Sequence, residues 1–339
     1  MFYKTIIQGR FDFGTLKSYE KVYKMFQYRI DTYYRTDIIF KLEDIFKPES
    51  LSMELERFVG TVTEKSYKNT ADLLTYCAQF AINGTVRAWL LDNGEILQYH
   101  FIEPESDKAA VQSFIKGRSL IRVEGMQNEA IAELSKAIEK YDRHAQAYER
   151  RAKISFLLKN FHDAMRDYNK SLNIDPTIPT AYYGRARIHM LNENWQDAVT
   201  DFNLAIKRSV ALEPVHWKSR RLKGECHLYL NQYPEAEFEL KLFTLRNFKV
   251  DDPINGWKRR GYYHYGLVLM ELKKYLEAMV AFDTAYGRPD LNDGVEISEL
   301  LKLRGLAKKR AGKTGFLIDI KEAIRMGNAS ASKLLKELA

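Results

Sequence analysis

The stretch Ala147–Thr180 reads AYERRAKISFLLKNFHDAMRDYNKSLNIDPTIPT, and Ala181–Pro214 follows it directly as AYYGRARIHMLNENWQDAVTDFNLAIKRSVALEP. Laid over each other, Tyr148 falls on Tyr182, Ala152 on Ala186, Ala164 on Ala198, Tyr168 on Phe202 and Leu172 on Ile206, with mostly polar residues between them. A recurrence at this period predicts a stack of small units, none of which buries its apolar surface alone.

Working outward, the small residue that opens each second helix recurs at Ala130, Ala164 and Ala198 at intervals of 34, then at Ala236 after 38 and Ala278 after 42. The longer intervals place loops at RSVALEPVHW and FKVDDPINGW, each holding a proline that a helix interior does not accept. Five helix pairs are expected, with LIDIKEAIRMGNASASKLLKELA as a terminal helix pair divided at Gly327-Asn328. Antiparallel helices approach to about 8–10 Å only where the crossing residues are small, and aromatics fill the space between neighbouring pairs.

These residues resemble the tetratricopeptide repeat, over roughly residues 105–339. Unit 145–178 supplies Tyr148, Ala152, Ala164, Tyr168, Ser171 and Pro176; unit 179–212 supplies Tyr182, Ala186, Ala198, Phe202 and Ala205; unit 259–292 supplies Tyr262, Gly266, Ala278, Phe282 and Ala285. The first unit departs from the pattern, with Arg118 at the small position and Leu134 at the aromatic one, and the fourth has Gly224 and Ala236 but Leu240 and Phe243. The resemblance implies an α-solenoid with a concave groove and no catalytic residues.

Residues 1–104 have another texture. KTIIQGRFDF and RFVGTVT alternate as strands, LKSYEKVYKMFQYRID and KNTADLLTYCAQFAIN have helical spacing, and TVRAWLL and ILQYHFI flank the turn Asp92-Asn93-Gly94. A small α+β domain is expected here, ending at the polar EPESDKAA. It holds 13 Lys and Arg against 14 Asp and Glu, whereas 105–339 holds 40 against 31, so the net charge of +8 belongs to the repeats.

The longest apolar runs, such as LLTYCAQFAI, are well short of the ~20 residues of a membrane span, and MFYKTIIQGRFDF lacks the pattern of a signal peptide. Two distant cysteines, Cys77 and Cys226, suit a reducing compartment, so a cytoplasmic location is expected and no membrane partner. GLAKKRAGKT at 305–314 ends like a phosphate-binding loop, but Ala307 stands where that loop requires Gly and no strand precedes it. The seven histidines show no metal-ligand spacing, so neither metal nor cofactor is expected.

The candidate site is the second face of each first helix, which lines the groove in the family. It carries Ile115 and Arg122, then Glu149, Lys153 and Phe156, then Tyr183, Arg187 and Met190, then Lys218, Arg221 and Glu225, and last Arg260, Tyr263, Leu267 and Met270. Arg122, Lys153, Tyr183, Arg187, Lys218, Arg221, Arg260 and Tyr263 are the expected partner contacts, in a basic groove punctuated by Glu149 and Glu225. Such a face suits an acidic or extended protein segment. Two other readings are a single-stranded nucleic acid on the basic aromatic groove and an enzyme with its site in 1–104.

Overall fold

A computed structural model describes residues 1–35, 37–289 and 293–338. Their contacts fall into two compact units, Met1–Ile178 and Pro179–Ala339.

The first unit opens with β1 (Phe2–Asp12), α1 (Leu16–Arg29), α2 (Leu42–Ile45), β2 (Phe46–Lys47), β3 (Ser52–Thr63), α3 (Glu64–Ala78), β4 (Asn83–Asp92) and β5 (Glu95–Ile102). The strands form one antiparallel sheet in the order β2-β3-β1-β4-β5. Alternation decides its buried face: Ile7, Phe11, Met53, Leu55, Val86, Ala88 and Leu90 share a core with Val22 and Phe26 of α1 and Leu73 and Leu74 of α3. Thr15 and Thr63 cap the two long helices by accepting from Ser18 N and Ser66 N. Asn93 and Gly94 form the β4–β5 turn at φ 48° and 88°, the left-handed pair that a tight hairpin needs. Gly9 and Gly84 lie where β1 and β4 run closest; a Cβ on either would stand 2.2 Å or 2.1 Å from the carbonyl oxygen of Thr85 or Arg10. The small α+β domain is therefore present, with β3 longer than RFVGTVT and with α2 and β2 added.

From residue 109 the described chain is helical: α4 (Ala109–Leu120), α5 (Gln127–Lys140), α6 (Ala145–Leu157) and α7 (Phe161–Ile174) complete the first unit. Helix α4 pairs with α5, α6 with α7, and α5 packs on α6. Within this unit Lys108 Nζ donates to Phe80 O at 2.5 Å, Gln146 Nε2 donates to Thr85 Oγ1 at 3.3 Å, and Arg118 holds Glu103, so the sheet is tied to the first helices.

The second unit holds α8 (Pro179–Leu191), α9 (Trp195–Arg208), α10 (Pro214–Tyr229), α11 (Tyr233–Leu245), α12 (Lys258–Glu271), α13 (Tyr275–Tyr286), α14 (Ile297–Arg310), α15 (Phe316–Arg325) and α16 (Ala329–Leu338). Consecutive helices pair throughout, and α10 also touches α8 and α12, as in an α-solenoid. Ala186, Ala198, Phe202, Ala205, Ala236, Ala278, Phe282 and Ala285 are buried, as the packing argument requires. The terminal pair expected over LIDIKEAIRMGNASASKLLKELA is divided otherwise: α15 packs mainly on α14 as a sixth pair, and α16 follows as a single helix beyond Gly327 at φ 88°. None of the described helices is long and apolar enough to cross a membrane.

Candidate partner-binding surface

In the first unit the register of the first repeat differs from expectation. Gly117, not Arg118, occupies the helix crossing: a Cβ there would lie 2.8 Å from Leu134 Cγ. The six-residue connection at 121–126, against three residues at 158–160, absorbs the shift. Arg118 is thereby turned outward, where it grips Glu103 through both terminal nitrogens, Nη2 to Oε1 at 2.6 Å. Arg122 and Lys153 are exposed and line a cavity of about 510 Å³ together with Arg118, Arg150, Ile121 and Phe101. Arg118, Arg150 and Phe101 are site residues that the repeat pattern did not single out. The first is displaced by the shift, Arg150 lies beside the expected groove positions, and Phe101 comes from the sheet.

In the second unit the Arg187 guanidinium lies 5.7 Å from the centre of the Tyr183 ring. Lys218 sits beside Arg187 and Arg221, and burial, followed by the charge of Arg187, holds its ammonium below the ordinary lysine range. Arg221 departs from the expected exposed groove cation. It is 5% exposed, forms an ion pair with Glu225 one helical turn later, and lies 4.8 Å from the Trp257 ring centre.

Glu225 is likewise buried at 1% exposure, and Glu149 is buried beside Arg150 at 3.2 Å, so neither is an acid on the open groove surface. Around Glu225 stand Arg221, His264 Nδ1 at 3.2 Å and Arg260 Nη2 at 3.3 Å. Burial alone would raise its pKa, but these partners outweigh burial and bring it down to about 2. Arg260, half-buried, also donates to Asp293 O at 3.1 Å. Burial pushes the Tyr263 phenol up to about 12, and its ring packs at a steep angle against His264. Tyr183, Arg187, Lys218, Arg260 and Tyr263 are thus partly exposed around a buried ionic centre.

Family models of the tetratricopeptide repeat match residues 145–178 and 183–240. No curated protein matches the chain. Among solved structures, the chain is similar to YrrB, described as a tetratricopeptide-repeat protein with an unusual peptide-binding site, at a TM-score of 0.50 and 18% identity over 60% of this chain and 97% of that one. It is also similar to PilF of Pseudomonas aeruginosa, at a TM-score of 0.53 and 14% identity over 69% of this chain and 99% of that one. Residues 145–178 and 183–240 thus match tetratricopeptide repeats, and the helix pairs share the fold of these solved structures.

Proposed function

We propose that this protein is a non-enzymatic scaffold whose first-helix faces hold an acidic or extended segment of a protein partner. The observation that carries the reading is the gathering of Lys218 with Arg187 and Arg221, two cations against the acid Asp252, with Arg260 on the second carboxylate oxygen of Glu225. Like charges held together in a half-buried setting oppose one another, and an anionic side chain placed among them relieves that cost. Tyr183 and Tyr263 border these cations with broad amphipathic rings of the kind that anchor peptide chains. In the first unit, Arg122 and Lys153 beside the 510 Å³ cavity offer a second cationic surface. The tetratricopeptide fold is a scaffold for protein interaction, and the peptide-binding site of YrrB supports the same class of ligand here.

The test uses the full chain and an oligoglutamate peptide as probe. Replacing Arg187 and Lys218 together by Glu should leave the folded circular-dichroism spectrum intact and weaken peptide binding by roughly tenfold or more at low salt, where screening is least. A single-stranded nucleic acid would instead bind with a slope of log affinity on log salt of about −0.7 per phosphate contacted. Unchanged peptide affinity in the folded double variant would overturn the proposal.

A further inference from the structure

The two edges of the sheet are unlike. At one edge β2 is two residues long and ends in Lys47 followed by Pro48, while the uncovered part of β3 carries Glu56, Arg57 and Gly60, all features that discourage strand addition. At the other edge β5 runs for eight residues, pairs with β4 on one side with a register shift at Leu97 that leaves Gln98–Ile102 as the regular run, and is the last strand of the sheet. It has no proline, glycine or lysine, and Ile96, Leu97, Tyr99 and Phe101 are each 48–50% exposed. Tyr99 stacks on Trp89 at 5.3 Å, which holds its ring along this open strand.

Charge is divided along the strand. Asp92 and Glu95 are exposed at the hairpin end, and near the other, beside Phe101, Arg118 and Arg150 are held by Glu103 and Glu149 while Arg122 and Lys153 are exposed and leave that end net basic. An antiparallel neighbour of identical sequence would bring the acidic end of each strand toward the basic end of its mate.

We propose that β5 is a self-association edge, on which a second copy of this chain adds its own β5 antiparallel about a two-fold axis to make one sheet across two subunits. Identical strands meet this geometry without a second surface having to be complementary, because a two-fold interface is its own partner. The apolar row leaves water on pairing, and the opposed charges fix the antiparallel sense. This association borders the cavity of Arg122 and Lys153 in the first unit and does not involve Arg187, Lys218 or Arg260.

Light scattering of the full chain from low to high micromolar concentration should give a concentration-dependent mass approaching twice 39.6 kDa. Leu97→Lys, which leaves the Tyr99–Trp89 stack in place, should weaken the dimer by roughly tenfold or more, because it sets a charge into the apolar row that leaves water on pairing. Tyr99→Lys should do the same. A thermal melt like that of the parent chain establishes that each variant is folded. A monomeric mass at every concentration would overturn the proposal, and so would a dimer that survives both folded variants unchanged.

Discussion

Arg185 on α8 holds Asp201 on α9 with two parallel bonds, Nε to Oδ2 and Nη2 to Oδ1, each 2.7 Å long. Asp201 is 3% exposed, so its charge is answered inside the helix pair. The relationship recurs sixteen residues apart, with Arg151 on Asp167 at 2.7 and 2.9 Å and Lys223 on Glu239 at 2.7 Å. Each of these repeats thus joins its two helices by an ion pair beside the small-residue crossing. The basic excess of 105–339 therefore includes cations already committed to holding helices together.

Asp201→Ala should destabilise the chain by about 2–4 kcal/mol, because it leaves the largely buried Arg185 guanidinium without its carboxylate. Chemical denaturation of Asp201→Ala, Arg185→Ala and the double variant measures the coupling. A coupling near zero would show that the bidentate pair does not contribute.

The turns inside four helix pairs are Schellman motifs with a left-handed residue that is not glycine: Lys159, Glu193, Asn231 and Lys273 lie at φ 57–62°. In each, the next residue donates its N–H five residues back, as Asn160 does to Ser155 O at 2.8 Å and Asn194 to His189 O at 2.9 Å. Lys159→Gly and Glu193→Gly should each raise stability by about 0.5–1 kcal/mol, since relief of the left-handed strain exceeds the added freedom of the unfolded glycine. Paired thermal melts check the direction.

Burial pushes the His144 imidazole down to about 3. It lies 4.7 Å from the Phe114 ring, and its Nδ1 accepts from Ala147 N at the start of α6. Folded His144 stays neutral where the unfolded residue takes a proton, near the ordinary histidine value of 6.5. Its contribution is therefore complete above that value and is lost as pH falls toward 3, by at most about 1.4 kcal/mol per pH unit. The carboxylate of Glu225 works in a lower window, between the ordinary glutamate value of 4.5 and about 2. Urea midpoints at pH 7, 6 and 5 should decline in the parent chain and decline less in His144→Asn, which retains an N-cap acceptor. His227, also shifted down by burial, leaves part of the slope in place.

A fragment beginning at residue 105 should retain a helical far-ultraviolet spectrum, because the helix pairs pack on their neighbours. It should melt below the full chain, since Lys108, Arg118 and Gln146 lose Phe80 O, Glu103 and Thr85 as partners. Disappearance of the helical signal would show that residues 1–104 are required for the repeats to fold.

Much of this architecture was legible in the residues because it depends on local spacing. A 34-residue recurrence of Ala and aromatic positions dictates helix pairs, and alternation with Asn93-Gly94 dictates a hairpin, whatever the rest of the chain does. The ion pairs left a signal too: Arg151, Arg185 and their acids recur at fixed positions, although a charge at a helical position reads equally well as solvated. What tertiary structure decided was where each charge went. Arg187 and Glu225 occupy the same repeat position, with Tyr183 and Arg221 one turn before them, yet Arg221 and Glu225 are buried together beside Trp257 while Arg187 is only partly covered by Tyr183, because residues supplied by other segments change the surroundings. Arg118 was displaced by one residue when Gly117 took the crossing, a choice made by the volume of Leu134 on the facing helix. Helical periodicity assigns a face, but burial and charge pairing depend on neighbours distant in sequence, and only the folded chain brings those neighbours together.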